Sequence, residues 1–268
     1  MLTIFEHNTT VIAQNVNYTR TPFANNPIPL GRQSTIARNA LATAPLPNGS
    51  ASAYGGQNYR AEASLDDTAD QFTAKADHQI TSWWRISGSY LWYHSLEPGE
   101  NWFGTVSSPS QWTLDRTVNA TAINNLITPD PTTVLSIRYG FNRFPNEDGQ
   151  RSQGFNVGSL GFPSNFVSQI QAPIFPAFNF STLTSLAPGG VGQTIFHSKN
   201  FLVGVSKFLG RHSVKFGFDY RRLNNDGISF PNTSFSFDNS FTRASQVPTA
   251  ANGADLASML LGLPSAGS

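Results

Sequence analysis

The 268-residue sequence contains no cysteine and few charged residues. The absence of cysteine excludes disulfide frameworks, thiol catalysis and cysteine-ligated zinc. Charged residues make up 12% of the chain, which is about half the share found in a typical soluble domain. The 17 Lys+Arg residues nearly balance the 16 Asp+Glu residues, so the net charge is +1. No basic face is therefore indicated, and no partnership with nucleic acid is predicted.

Long hydrophobic runs and catalytic motifs are also lacking. No run of about 18 apolar residues is present, which excludes a transmembrane helix. Residues 1–8 lack the basic and apolar regions of a secretory signal, so any export signal is expected outside this sequence. There is no G-x-S-x-G elbow and no phosphate-binding loop. The five histidines have no metal-ligand spacing. We predict no enzyme, no cofactor and no metal site.

Aromatic residues and a period-two pattern are abundant instead. Aromatics form 12% of the chain, and 21 residues are Phe. From residue 70 onward, apolar and polar residues alternate in segments of about ten residues, the length that a tilted strand needs to cross a bilayer. The clearest pair of segments is 200–206 and 213–221. The pattern predicts six strands, and a possible seventh carries Phe235, Phe237 and Phe241.

The connections between these strands alternate between short and long. Tight turns are predicted near residues 78–83, 128–132 and 210–212, and long loops at 97–110, 145–193 and 225–268. Residues 1–69 read as a long loop region before the strands, with a short helix within 35–44. A second helix within 253–261 is stopped by Gly262 and Pro264. Short turns at one end and long loops at the other are typical of a membrane β-barrel.

The alternating faces have two interpretations. In a soluble sandwich the polar faces meet water and the apolar faces form a core. In a transmembrane barrel the charged residues line the lumen and the apolar face meets lipid. The predicted lumen-lining residues are Lys75, Asp77, Arg85, Asp115, Arg138, Lys215, Asp219 and Arg221.

Three features favour the barrel over the sandwich. Small residues occupy mid-strand positions of the apolar faces, where a sandwich core needs bulk. The long loops are all placed at one end. Trp and Tyr residues concentrate near strand ends, as an interfacial aromatic girdle requires. The predicted girdle residues are Trp84, Trp92, Trp112, Tyr139 and Tyr220. We therefore predict an all-β fold: an antiparallel, up-and-down transmembrane β-barrel segment of six or seven strands with long extracellular loops.

The longest predicted loop is rich in phenylalanine and proline. Phe162, Phe166, Phe175 and Phe178 are candidates for contacting a sugar or peptide ligand by stacking. The same residues suit an ordered loop that packs on itself. The sequence leaves both interpretations open.

Several segments resemble Oar-like TonB-dependent outer-membrane receptors. They occur in family order over nearly the whole chain: RTPFANNPIP at 20–29, APLPN at 44–48, DQFTAKADHQ at 70–79, LGRHSVKFGFDY at 209–220 and DLASMLLGLP at 255–264. None of these segments is a catalytic signature, and the resemblance depends on their order.

The resemblance implies a large, plugged barrel in the outer membrane of a Gram-negative bacterium. Such a receptor imports a bulky solute, for example a saccharide, a peptide or a metal chelate, with energy from the TonB system acting through the plug domain. The implied partners are outer-membrane lipid, the remainder of the barrel and the plug. Because six or seven strands cannot close such a barrel, the chain is expected to be a middle fragment. The alternative is a soluble or surface-located β-rich adhesin or carbohydrate-binding module, which the low charge favours less.

The barrel interpretation makes a prediction about solubility. We expect the chain, expressed behind an added export signal, to fractionate with the outer membrane and to remain dispersed only in detergent, because its apolar faces require lipid. Membrane fractionation followed by gel filtration with and without detergent measures this. A monodisperse, detergent-free monomer would contradict the barrel and favour the sandwich.

Overall fold

The computed structural model describes residues 2–12, 18–51, 53–246 and 252–268. The rest of the predicted loop regions 1–69 and 225–268 (residues 1, 13–17, 52 and 247–251) lies outside the described residues. The strands are β1 (Val11–Ile12), β2 (Tyr18–Thr19), β3 (Thr68–Thr81), β4 (Trp84–Pro98), β5 (Trp112–Asp130), β6 (Thr133–Gln150), β7 (Ala177–Phe180), β8 (Val191–Leu209), β9 (His212–Phe230), β10 (Ser234–Phe237) and β11 (Ala266–Gly267). The helices are α1 (Thr35–Leu41), α2 (Ser164–Val167) and α3 (Asp255–Leu260), with 3-10 turns at His7–Thr9, Leu30–Arg32 and Val157–Leu160. In this described part of the chain, no helix combines the length and the apolar character needed to cross a membrane.

Six long strands form one sheet, which we call the wall. Its strand order is β3-β4-β5-β6-β8-β9, and each strand is antiparallel to the next. The described strands at the two edges, β3 and β9, do not pair with each other, so the sheet is open. The prediction of an all-β, antiparallel, up-and-down arrangement is confirmed.

The wall strands are longer than the predicted ten residues, between 14 and 19 residues. Their short turns lie where they were predicted, between Thr81 and Trp84, Asp130 and Thr133, and Leu209 and His212. The extra length is at the opposite end, where strand structure continues into the predicted loops. The long connections are therefore 99–111 and 151–190, and β9 continues to Phe230. The alternation at Phe235 and Phe237 does form a strand, β10, but it joins β7 and β11 in a separate three-stranded sheet.

The register sorts the wall residues into two faces, because directly opposed residues of an antiparallel pair lie on the same side of the sheet. One row runs across all six strands through Ala76, Gly88, Ile123, Tyr139, Phe201 and Tyr220. We call its side the apolar face and the opposite side the polar face. The apolar face also carries Phe72, Trp84, Ile86, Tyr90, Trp92, Ile127, Leu135, Ile137, Phe141, Val203, Val205, Val214, Phe216 and Phe218. Phe216 and Phe218 are 63% and 61% exposed, as residues that meet lipid would be.

The register reverses the predicted faces of one strand, β5. Alternation alone predicts that its apolar series Leu114, Val118, Ala120, Ala122 and Leu126 lies on the apolar face, but the series lies on the polar face. Ile123 and Ile127 take the apolar face instead. A one-residue change of register moves every side chain of a strand to the other side. Because β5 carries apolar residues on both sides, its own alternation does not determine the register, and pairing with β4 and β6 does.

The same reversal places two asparagines of β5 on the apolar face. The Asn119 Oδ1 accepts a hydrogen bond from the Tyr90 hydroxyl at 2.8 Å. The Asn125 Oδ1 accepts one from the Trp84 Nε1 at 3.1 Å. Polar groups in an apolar environment are costly unless they are hydrogen-bonded, and these cross-strand bonds reduce that cost.

The hydrophobic core lies outside the wall. The segments before β3, in the long connections and after β9 pack into one body at the long-loop end, which we call the cap. Its core consists of Ala37, Ala40, Leu160, Phe175, Phe178, Leu186, Ala187, Phe237 and Met259. The predicted helices are confirmed as α1, whose N-terminus is capped by the Ser34 hydroxyl, and α3, which is followed by Gly262 at φ +69°.

The register of β5 can be tested with two neighbouring substitutions. Ile123→Arg places a charge on the apolar face and should destabilise the protein by about 2–4 kcal/mol in a bilayer. Ala122→Arg places it on the polar face and should have a much smaller effect. Urea unfolding of both variants in lipid vesicles measures the difference. A larger loss for Ala122→Arg would mean that β5 has the opposite register.

Candidate binding site

The cap carries a wide cleft on its surface, with a volume of about 1170 Å³. Three parts of the cap form it: the segment before β3, with residues from 41–47 and 53–62, the connection containing Trp102 and Phe103, and residues 180–186. Leu256 of α3 completes the lining. We call it the cap cleft. It lies beyond the long-loop end of the wall strands and is open to solvent.

Asn48 holds together the segment that forms one side of the cap cleft. Its side-chain amide donates to the Arg60 carbonyl at 2.7 Å, and its Oδ1 accepts from the Arg60 amide at 2.8 Å. The backbone amides of Asn48 and Gly49 both donate to the Asn58 carbonyl, at 3.1 Å and 2.8 Å. A side-chain amide thus replaces part of a strand ladder, and it presents Tyr59 and Arg60 to the cleft.

Aromatic rings line the middle of the cap cleft. Tyr59 meets Phe103 edge to face, with 5.5 Å between ring centroids. The Tyr59 hydroxyl donates to the Trp102 carbonyl at 3.3 Å. Trp102 and Tyr54 remain 37% and 38% exposed, so their rings are free to stack on a ligand. Such rings bind apolar faces of a sugar or peptide.

A buried carboxylate, Asp255, joins the segments that form the sides of the cap cleft. It is 1% exposed, and it accepts hydrogen bonds from the Thr182 amide at 2.6 Å, the Ser181 hydroxyl at 3.2 Å and the Leu256 amide at 2.8 Å. The Tyr54 hydroxyl also donates to it. Burial, and then this hydrogen bond, raise the pKa of Tyr54 above its usual range. One carboxylate therefore connects the segment before β3, the longest connection and α3.

The chemistry of the cap cleft suits a neutral, polar ligand. Beside the rings lie the amides of Gln57 and Asn58 and one residue of each charge, Arg60 and Glu62. These groups can donate and accept hydrogen bonds without a dominant charge. Among the residues that the structure describes, no group of three His, Asp or Glu side chains is placed to hold a metal ion.

Seven of the eight predicted lumen-lining residues share the polar face. They are Lys75, Asp77, Arg85, Arg138, Lys215, Asp219 and Arg221. Arg85 of β4 forms an ion pair with Asp77 of the adjacent strand β3, at 2.9 Å. Arg221 lies 3.8 Å from Asp219 on the same strand. All four of these side chains are about half exposed, so the pairs add little stability, about 0–1 kcal/mol each. Their role in lining a lumen stays a prediction.

The eighth residue, Asp115, is on the other face, so its prediction is wrong. It lies opposite Leu96 on the apolar face, beyond the apolar band, and its Oδ1 is 2.9 Å from the His94 Nε2. The reason is the reversed face of β5. Its neighbour Arg116 is on the polar face, where it pairs with Glu97 at 3.1 Å.

Four of the five predicted girdle residues lie on the apolar face: Trp84, Trp92, Tyr139 and Tyr220. Trp84 adjoins a short turn, whereas Trp92 stacks on His94 towards the cap. Trp112 does not belong to this set, because it lies opposite Gln150 on the polar face. Its ring fills the space beside Gly99, where a Cβ atom would come within 2.7 Å of Nε1.

The four loop phenylalanines divide into two pairs. Phe175 and Phe178 are 0% and 2% exposed in the cap core, so the prediction that they contact a ligand is wrong, and the self-packing alternative describes them. Phe162 and Phe166 stack at 5.0 Å, and Phe162 stacks on Phe235 at 5.5 Å. These two are half-buried, and ligand contact stays a prediction for them.

The residues of the cap cleft were not predicted as a site. Tyr54, Tyr59 and Trp102 lie in segments without a period, for which the sequence predicts loops. The only signal is local: the segment YGGQNYR at 54–60 combines two tyrosines with glycines and amides, a composition typical of binding loops.

The sequence model of the family described as "Outer membrane beta barrel domain" matches residues 2–268. No curated protein matches the chain.

The Asp255 junction predicts an alkaline loss of cap stability. Because the pKa of Tyr54 is raised on folding, its contribution is complete below about pH 10, the pKa of an unfolded tyrosine. The contribution is lost as pH rises above that value. Tyr54→Phe should lower cap stability by about 1–2 kcal/mol at pH 7 and should weaken the loss above pH 10.

Limited proteolysis of the cap between pH 7 and pH 11 measures both effects. Tyr59→Phe is the matched control, since its hydroxyl does not contact Asp255. An unchanged alkaline profile in Tyr54→Phe would contradict the assignment.

Proposed function

Because the chain belongs to the family of outer membrane beta barrel domains, we propose that it is part of a TonB-dependent receptor that imports a bulky solute. The chain is located in the outer membrane, and the wall is the part of it that crosses the bilayer. The apolar face contacts lipid. By the rule that barrel turns are short on the periplasmic side and long outside, the cap stands on the extracellular side.

The cap cleft is the observation that carries this proposal. A volume of about 1170 Å³ exceeds the usual range for pockets that hold small molecules, about 300–1,000 Å³. The cleft therefore fits a bulky ligand better than a single small metabolite. Exposed rings beside neutral amides favour an oligosaccharide or a peptide over a metal chelate, since a chelate of high charge would need a charged lining.

The polar face supports a role in passage of the solute. Charged residues of both signs, among them seven of the predicted lumen-lining residues, lie on this face, and in a closed barrel they would line the lumen. The free edges of β3 and β9 need partners, because unpaired backbone groups are not tolerated in hydrocarbon. We propose that the remaining barrel strands supply those partners. A plug domain within the lumen would then connect the solute to the TonB system.

A surface adhesin or carbohydrate-binding module is the second candidate. A cleft lined by exposed rings and neutral amides also suits a surface binder of sugars. The exposed phenylalanines of the apolar face argue against a soluble form of that candidate, since soluble monomers rarely expose such a large apolar patch. Retention of a ligand at the surface, without import, would distinguish an adhesin from a receptor.

The test measures uptake in cells that carry the intact receptor. Cells with and without this gene are given radiolabelled linear oligosaccharides, hexapeptides and ferric chelates, each with and without a functional TonB protein. We expect loss of the gene to abolish accumulation of one class and loss of TonB to abolish the same uptake. Trp102→Ala and Tyr59→Ala should weaken binding of that solute at least tenfold, which corresponds to about 1.4 kcal/mol.

Leu30→Ala is the matched control, because Leu30 is an exposed residue of the cap that does not line the cap cleft. Uptake that persists without TonB would contradict the receptor. Binding without any uptake would favour the adhesin.

A further inference from the structure

Three neighbouring strands end their apolar band at a basic residue. Moving from the short turns towards the cap, the apolar face of β6 changes from Phe141 to Arg143. On β8 it changes from Phe201 to Lys199, and on β9 from Tyr220 to Arg222. A group of three cations therefore lies at the cap-side end of the apolar band on these strands.

The register brings these cations close together. Lys199 lies directly opposite Arg222, and Arg143 lies opposite His197, which is two residues from Lys199. Directly opposed residues have Cβ atoms about 5 Å apart, and diagonal neighbours about 7–8 Å. Like charges that face each other in this way destabilise a sheet. The arrangement therefore needs a compensating anion.

The described part of the protein supplies no such anion. None of Arg143, Lys199 and Arg222 forms an ion pair with a described residue, and Arg222 Nε donates only to the neutral Asn224 Oδ1, at 3.2 Å. The closest acidic residues along the same face of β6 and β9 are Glu147 and Asp226, four positions further towards the cap. Four positions correspond to about 13 Å along a strand.

The apolar residues beside the cations indicate what brings the anion. Phe201 and Tyr220, directly below Lys199 and Arg222, are 41% and 53% exposed, and Phe218 follows below them. A ligand at this position meets positive charge at one end and a continuous apolar surface at the other. This combination matches an anionic lipid, in which a headgroup phosphate is attached to acyl chains.

We propose that Arg143, Lys199 and Arg222 bind the phosphates of an anionic outer-leaflet lipid whose acyl chains pack on Phe201 and Tyr220. Guanidinium groups hold phosphate by paired hydrogen bonds, and the lysine adds a point charge. The site faces the bilayer at its outer boundary, away from the lumen and the cap cleft. It depends on the register and the membrane location, and it is independent of the import function.

The test compares lipid binding by two variants with equal loss of charge. The site variant is Arg143→Gln/Lys199→Gln/Arg222→Gln. The control is Lys75→Gln/Arg138→Gln/Lys215→Gln, which removes three cations from the polar face. The full chain in an uncharged detergent is titrated with bis-phosphorylated lipid A, with its dephosphorylated form and with inorganic phosphate, and native mass spectrometry counts the bound lipid.

We expect wild type and control to bind bis-phosphorylated lipid A at least tenfold more tightly than the site variant does. The dephosphorylated lipid and millimolar phosphate should bind no better than background. Thermal unfolding checks the fold: without lipid the site variant should melt no lower than wild type, because charge repulsion is removed, and only wild type and control should gain stability from the lipid. Equal binding by the site variant, tight binding of the dephosphorylated lipid, or saturation by free phosphate would each overturn the proposal.

Discussion

The architecture of this protein depends on the register of a six-stranded antiparallel sheet, because hydrocarbon offers the backbone no hydrogen bonds. Within hydrocarbon, strands have to pair along their whole length, and one side of the sheet has to be apolar. The row from Ala76 to Tyr220 satisfies both conditions. A shift of one residue between any two strands would expose charged residues such as Arg138 to lipid, so this register determines the lumen side, the lipid side and the cation group.

Apolar residues have two different roles along the chain. Phe216 and Phe218 are exposed on the wall, whereas Phe175 and Phe178 are buried in the cap core. The wall has lipid as its apolar partner and needs no core of its own. The cap stands in water and is organised like a small soluble domain, with short helices, a phenylalanine core and the buried carboxylate of Asp255. This difference explains how one chain supplies both a membrane wall and a separate cap that carries the proposed binding cleft.

Much of the wall was predictable from the sequence, because period-two alternation and tight turns are local signals. These local signals predict the six strands and their order. They also predict the faces of residues such as Lys75 and Phe218. The face of β5, and with it Asp115, did not follow, because both sides of that strand are partly apolar and its neighbours decide the pairing. The cap cleft was not predictable either, since Tyr54, Tyr59 and Trp102 come together only through long-range contacts such as those of Asp255.

Accessibility of single side chains in a bilayer tests the register most directly. The chain has no native cysteine, so single cysteines at positions 119–127 of β5 can be spin-labelled without a background. Exposure to oxygen, which dissolves in lipid, is then compared with exposure to a water-soluble nickel complex. The account predicts lipid exposure at 121, 123, 125 and 127 and water exposure at 120, 122, 124 and 126. The opposite phase, with 120, 122 and 126 in lipid, would contradict it.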